Sequence, residues 1–367
     1  MRAYIVSFLL FLLPLFIFPF GTSYFEIPKV ILAEFSIALL LLLYFFKQKT
    51  FNFNIKNRKY WPFLLIFILT IIDLIFFRTS SPFLGNSFRL QGIFLLWNLL
   101  AFALLSSSIP TTAIPRNMYL ISLPLLLIST LFLGGNESGR AVGTLGEPNS
   151  LAAVAVFLWP FLFFSNQKFK KIPLHFPALV IAGIIIFLSG SRSGLIALII
   201  QLIFIIFYKY IKLSLVKSAI ICLLLILASL VLPFLEKGGI FENRTEVWKT
   251  AVITGFNNPI LGNGFGNITE SLKNTSLRIN NNIKYQFVDS SHSFILDWWV
   301  QGGIPGALLI LFLIAQTLKN FISGSKKLEL ICFLGVVTSM LFNPVGICVL
   351  IAFWWLIGQG LYFKNKL

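Results

Sequence analysis

The sequence predicts an all-α polytopic membrane protein of about twelve transmembrane helices. Three observations predict it. Of 367 residues, 57% are hydrophobic and only 11% are charged, a balance outside the range of soluble domains. Apolar stretches long enough to cross a hydrocarbon core of about 30 Å recur along the whole chain. Basic residues collect on alternate connections. Backbone groups in lipid must be satisfied within their own segment, so helices are required, and no alternating barrel pattern competes. The chain reads as one integral membrane domain over residues 1–367.

In order, the apolar stretches lie near 4–20, 30–46, 61–77, 92–107, 118–133, 150–165, 174–189, 194–210, 217–235, 293–318, 328–342 and 345–363. The first resembles a signal sequence in length, but Phe18-Pro19-Phe20-Gly21 offers no small-x-small cleavage site, so it is kept as a helix. The second and third carry acids, Glu34 and Asp73. Each either relays a proton or ion or pairs with Arg78 or another buried cation. The seventh follows the basic loop 168–171 and begins at His175, read as an interfacial residue. The last two are divided at Asn343-Pro344. Cys222, Cys332 and Cys348 lie inside spans without metal or disulfide spacing and read as small buried hydrophobes.

Charge fixes the expected orientation. With the N-terminus inside, the inner segments hold eighteen Lys and Arg against a single acid, Glu329, which accounts for the net charge of +17. That is the positive-inside pattern and excludes a nucleic-acid footprint, since no basic stripe is interleaved with a soluble fold. Both termini are therefore expected in the cytoplasm. The partition is also chemical: six of nine arginines (Arg78, Arg89, Arg140, Arg192, Arg244, Arg278) fall outside, while lysine dominates inside. Topology needs only positive charge, whereas a guanidinium fork suits bidentate binding of phosphate or carboxylate. Outer acids offer Arg78, Arg140 and Arg278 the alternative of ion pairing.

One connection is long. Residues 236–291 form an external loop, expected to contain short amphipathic helices before the tenth span. Asn243-Arg244-Thr245-Glu246 fits a capping box that opens a helix running to about Gly255. Arg244 and Trp248 are neighbours on one face of it, with Trp248 expected at the membrane interface. Asn257-Asn258-Pro259 ends this helix, Leu261-Gly262-Asn263-Gly264-Phe265-Gly266 reads as a flexible turn, and the Asn-rich stretch 274–282 as a mobile outer loop. The glycines lack the preceding strand and spacing of a nucleotide loop.

Three cations stand out on the outer side. Arg192 occupies the turn Ser189-Gly190-Ser191-Arg192-Ser193-Gly194 between two lipid-buried runs. A charge costs about 2.5–3.5 kcal/mol at a helix centre on insertion scales, and one set against lipid-buried runs is a functional-site candidate. Arg244 is offered from the first turn of a helix, where free N–H groups already favour an anion. His292 lies at the outer mouth of the tenth span, near Asp289 and Asp297. Together they suggest a pyrophosphate site.

These pieces resemble the O-antigen ligase and polymerase superfamily. The resemblance is carried by Gly143-Thr144-Leu145-Gly146-Glu147-Pro148-Asn149-Ser150-Leu151-Ala152, by Ser191-Arg192-Ser193-Gly194, by Arg244 with Trp248, by Pro259-Ile260-Leu261-Gly262-Asn263-Gly264-Phe265-Gly266, and by His292 with Leu296, Gly303 and Gly306. Pro28-Lys29 and Arg89-Leu90-Gln91-Gly92 add to it, and the similarity spans about residues 80–310. Two positions depart from the family pattern: Ser293 stands where an asparagine usually follows the histidine, and Gln301 stands in place of a glutamate.

The resemblance implies a GT-C-like membrane glycosyltransferase of the bacterial cytoplasmic membrane, with its active site on the outer face. The implied donor is an undecaprenyl-pyrophosphate-linked glycan, and the acceptor a hydroxyl on a glycan, lipid or protein. Arg192 and Arg244 would stabilise the departing pyrophosphate, with Arg89, Asn149, Ser191, Ser193 and Trp248 binding substrate. His292 either accepts the acceptor proton or only hydrogen-bonds a phosphate oxygen. No cofactor is expected, because fixed cations replace the divalent metal and no outer Asp-x-Asp or His/Cys cluster offers a metal site. The competing class is a secondary transporter of a small anion such as bicarbonate, with Glu34 or Asp73 coupling protons; no internal repeat supports it. A scaffold protein gives no reason for the outer arginines.

Overall fold

The computed structural model describes residues 1–18, 23–47, 58–76, 83–135, 139–164, 168–169, 172–173, 175–235, 244–281 and 289–362. Apart from a two-residue antiparallel pairing of Lys168–Phe169 with Ile172–Pro173 and one isolated bridge, its regular structure is helical. In chain order the helices are α1 (Arg2–Leu15), α2 (Ile27–Lys47), α3 (Trp61–Phe76), α4 (Ile93–Ser106), α5 (Arg116–Phe132), α6 (Pro148–Phe164), α7 (His175–Ser189) and α8 (Arg192–Ile205). There follow α9 (Leu215–Ser229), α10 (Leu232–Leu235), α11 (Arg244–Asn257), α12 (Ile268–Ile279), α13 (Phe294–Ser323), α14 (Lys327–Met340) and α15 (Ile347–Leu361). Each of the twelve apolar stretches thus holds a helix. Four are long and apolar enough to cross a membrane: Ile27–Phe46, Arg192–Tyr210, Leu215–Phe234 and Phe294–Ser323. The others are shorter.

The core is a bundle within a bundle. Every residue of α15 is buried, as is α6 from Ser150 to Leu162 and α14 from Leu330 to Met340 but for Val337. Around them, α2, α3, α7 and α9 turn apolar side chains such as Phe35, Ile68, Phe187 and Leu224 outward. An outer surface this apolar suits lipid and not water. Lipid supplies no hydrophobic drive between helices, so close contact and buried hydrogen bonds hold them together. Gln201 of α8 shows both devices. Its carbonyl accepts from Trp159 Nε1 of α6 at 2.6 Å, and its amide donates to Val156 O at 3.1 Å and Ile331 O at 3.0 Å. A Cβ on Gly335 would stand 2.3 Å from Gln201 Nε2, so only glycine admits this junction.

Polar groups gather at two opposite ends. At one, Lys326 donates to Gln359 O and Tyr362 O, Thr111 donates to Glu329, and Lys209 and Lys327 lie over Phe163 and Tyr208. At the other lie the first residues of α2, α4, α6, α8, α13 and α15, joined by the contacts described below.

The long connection departs from expectation in three ways. Residues 268–279 form helix α12, closed by Asn280 in the left-handed region (φ 53°), so most of the stretch expected as a mobile loop is helical. The run Ser271-Leu272-Lys273-Asn274-Thr275-Ser276-Leu277 buries Leu272, Thr275 and Ser276 on one face, and that amphipathic pattern outweighs the asparagines. The glycine turn is locked and not free. α13 breaks at Gly303 (φ 60°, ψ −156°), and the groups so released bond to the turn: Asn263 N donates to Val300 O at 2.9 Å, Gly264 N to Gln301 O at 3.0 Å, and Ile304 N to Pro259 O at 2.8 Å. Gly262 is required there, since its φ is 72° and a Cβ would meet Gln301 O at 2.2 Å. Trp248 is only 8% exposed and packs between Phe234 and Phe342, with ring centroids 5.9 and 6.3 Å away, so it is a buried wedge and not an interfacial belt residue. Arg78 and the proposed cap Asn243 lie outside the described residues.

Candidate active site

Two polar clusters adjoin at the end opposite the lysines. The first gathers around Asn343, in the break between α14 and α15. Its amide nitrogen donates to Ser193 Oγ and to Ser339 O (3.1 Å), and its carbonyl accepts from Arg244 NH2 at 3.4 Å. Ser193 is 3.1 Å from Ser191 Oγ, which donates to Asn149 Oδ1 at 3.0 Å. Arg140 reaches the same Asn149 oxygen at 3.0 Å and Ser189 O at 2.8 Å. Asn149, Ser191, Ser193 and Arg244, from α6, α8 and α11, are thus brought together around the α14–α15 break.

Local sequence explains each placement. Ser191 is the N-cap of α8, accepting from Gly194 N at 3.3 Å, and Gly194 lets α8 approach Ala152, which a Cβ would meet at 2.5 Å. Arg192 is the first residue of α8 and is exposed, while Arg244 is the first residue of α11, half-buried. Trp248, one turn on, anchors α11 against Phe342 beside Asn343. The N-terminus of α8 and the guanidinium groups of Arg140 and Arg244 therefore belong to one polar neighbourhood, a setting in which an anion is stabilised.

The second cluster centres on Arg89. Arg89 Nε bonds Asp289 Oδ2, and NH1 lies 3.9 Å from Glu147 Oε2. Glu147 also accepts from Ser150 Oγ at 2.7 Å, and Glu26 accepts from Ile347 N at 2.6 Å. Burial pushes the carboxyls of Glu26 and Glu147 above their ordinary range, against the pull of Arg89. Burial acts to lower Arg89, but Asp289, Glu147 and Glu26 together hold its pKa raised. Lys29, 1% exposed, donates to Phe25 O at 2.6 Å and Thr144 O at 2.7 Å, tying α2 to the turn before α6. In that turn Gly143 and Gly146 take positive φ (51° and 73°), which swings Glu147 toward Arg89.

Beside this cluster is a cavity of about 100 Å³, lined among others by Arg89, Gln91, Asp289, Asp297 and Trp298. The clusters meet along residues 343–345: Asn343 belongs to the first, and Val345 O accepts from Gln91 Nε2 at 2.7 Å in the second. His292 belongs with the second. It is half-buried, with φ 57°, and its N–H donates to Ser290 Oγ at 3.1 Å. Asp297 holds the turn by accepting from Ser291 N at 2.8 Å and Ser291 Oγ at 2.5 Å. A left-handed histidine is uncommon, and such conformations persist where neighbours over-determine them, often at functional sites.

Sequence reasoning did not foresee the roles of Asn343, Glu147 or Glu26. Asn343 was visible only as half of an Asn-Pro break, and Glu147 only as part of a motif. For Glu26 there was no signal, because its partner Ile347 is 321 residues away. Gln301, where the family pattern has glutamate, accepts from Gly266 N at 2.8 Å and steadies the glycine turn. Asp73 is fully buried and accepts Phe265 N at 3.0 Å in the same turn. Among the described residues no group of three or more His, Cys, Asp or Glu is arranged to hold a metal ion. An apolar groove of about 1010 Å³ runs between α3 and α13, bordered by Trp61, Leu69, Pro305 and Phe312.

Residues 177–311 match the O-antigen ligase family model. This match, covering α7 through the first half of α13, supports the O-antigen ligase and polymerase superfamily and a membrane enzyme of ligase or polymerase type. A Haemophilus influenzae protein described as uncharacterized is 23% identical over 360 residues, covering 89% of this chain and 88% of that protein. The matched segment contains Arg192, Arg244, the glycine turn and His292, while Arg89, Glu147, Asn149 and Asn343 lie outside it.

Proposed function

We propose that the protein is a glycosyltransferase that moves a glycan from undecaprenyl pyrophosphate to an acceptor hydroxyl, in the synthesis of cell-surface polysaccharide. The observation that carries this reading is the junction at Asn343, where Arg244 and the first turn of α8 share one side chain. Fixed cations and helix N-termini aimed at a developing anion are usually the largest catalytic contribution. In the reaction, the acceptor oxygen forms a bond to the anomeric carbon as the bond from that carbon to the pyrophosphate oxygen breaks. The electron pair leaves with undecaprenyl pyrophosphate, whose charge Arg192 and Arg244 stabilise. The acceptor proton passes to a base, for which His292 is the candidate. The groove between α3 and α13 supports a lipid-borne substrate, since its lining is almost wholly apolar.

In this reading both termini are cytoplasmic, the twelve helices cross a bacterial cytoplasmic membrane and the arginine clusters face outward, an orientation supported by the lysine-bearing end. Purified protein given a defined lipid-pyrophosphate glycan and an acceptor is expected to release undecaprenyl pyrophosphate and elongate the acceptor. Uptake of a small anion into vesicles containing the protein, with no glycan turnover, would overturn the proposal.

A further inference from the structure

The cavity beside Arg89 has two unlike walls. One is aromatic: Trp298 stands edge-on to Phe265 at 5.2 Å and to Phe294 at 6.1 Å, and all three line it. The other is polar, with the amides of Asn86 and Gln301, the carboxylates of Asp289 and Asp297, and the guanidinium of Arg89 held by Asp289. At about 100 Å³ it has room for several water molecules, each of which needs about 10–15 Å³. A lipid chain has no use for the polar wall. An anion is disfavoured there, because Asp289 and Asp297 line the cavity while Arg89, the cation among its lining residues, is already engaged by Asp289 and Glu147. A pyranose matches both walls: its C–H face packs on an aromatic ring, and its hydroxyls take the place of water on the amides and carboxylates.

We propose that this cavity holds one sugar ring of the transferred or accepting glycan, and that the ring is neutral or carries an amine, never a carboxylate. The proposal rests on the glycosyl-transfer reading and deepens it. The sugar would sit one short stretch, residues 343–345, from the neighbourhood of Arg192 and Arg244, as a ring attached to or attacking at the pyrophosphate must. Selection against acidic sugars follows from the surplus of carboxylates, since a like charge placed among them is repelled across a partly buried space.

The test uses the full chain in lipid nanodiscs and ligand-observed saturation-transfer NMR with three probes: methyl glucoside, methyl glucosaminide and methyl glucuronide. The first two are expected to give transfer signals and the glucuronide none. Trp298→Ala, which removes the aromatic wall, and Leu96→Trp, which fills the cavity without touching its polar groups, should each weaken neutral-probe binding roughly tenfold or more, the loss of one stacking or hydrogen-bonding partner. Asp289→Asn should admit the glucuronide. Equal signals from all three probes in the wild type, or wild-type binding by both cavity variants, would overturn the proposal. In turnover with a defined lipid-linked donor, Leu96→Trp should raise KM for the acceptor if the ring is the acceptor's and for the donor if it is the donor's; no change in either overturns it. Glycoside selectivity without any glycan transfer would defeat the functional reading alone, and transfer without selectivity would defeat this inference alone.

Discussion

Arg89→Gln tests the electrostatic construction of the site. Arg89 has 12% of its side chain exposed, against 20% for Asp289 and 25% for Glu147, so the pair bonds are only partly screened. Removing one member of a buried ion pair costs about 3–5 kcal/mol because the remaining charge is stranded. Partial exposure favours the lower figure, about 3 kcal/mol. At about 2 °C per kcal/mol for a chain this large, the melting temperature should fall about 6 °C. Asp289→Asn added to Arg89→Gln should restore about 1–2 kcal/mol, since it removes a stranded charge. pH gives a second readout. Glu26 and Glu147 have folded pKa values raised from the ordinary 4.5, so they bind protons more tightly folded than unfolded. Their contribution is fully present below about pH 4.5 and is lost as pH rises through the folded values. Arg89 opposes that rise, so its removal moves both folded values higher and extends the loss toward neutral pH. Tryptophan-fluorescence melts in detergent between about pH 5 and 8 should therefore show a steeper decline for the variant than for the wild type. A variant that melts within about 1 °C of wild type across that range would refute the reasoning.

Three further outcomes follow from single residues. Asn343→Ala removes the bridge between Arg244 and Ser193, so glycan transfer should fall by roughly tenfold or more with melting changed far less, as steady-state turnover beside a thermal melt will show. Gly262→Ala puts a Cβ 2.2 Å from Gln301 O at a φ of 72°, and should cost about 2 kcal/mol or more and expose the 259–266 turn to proteolysis. Gln201→Leu breaks three bonds among α6, α8 and α14; with about 0.6 kcal/mol for each interhelical bond in a membrane, it should lower stability by about 2 kcal/mol in a denaturation series while leaving donor binding intact.

Much of the fold was legible because lipid simplifies the code. A run of apolar residues must be helical, so each of the twelve stretches holds a helix, and Asn343-Pro344 does separate α14 from α15. Arg244 opening a helix was legible from Glu246 in the first turn, and Arg192 at the start of the eighth span from the small-residue turn around it. What stayed hidden was long-range. That the turn at Gly262 would plug into the kink of α13 depends on Gly303 and Pro305 breaking that helix and freeing its carbonyls, a tertiary event with no local signature. Trp248 read as interfacial from its residue type, yet Phe234 and Phe342 enclose it. Arg89 read as an outer, substrate-binding cation, and only the fold reveals that Asp289 and Glu147, contributed by distant segments, engage it.

The central claim is that cations at the first turns of α8 and α11 stabilise a departing lipid pyrophosphate. Its most direct measurement is release of undecaprenyl pyrophosphate from a defined lipid-linked glycan by the purified chain, compared with Arg192→Ala and Arg244→Ala variants that melt like the wild type. Release by the wild type is expected, with a loss of about a hundredfold or more in each variant, as for removal of one oxyanion-stabilising group. Release by both variants at near the wild-type rate would contradict it.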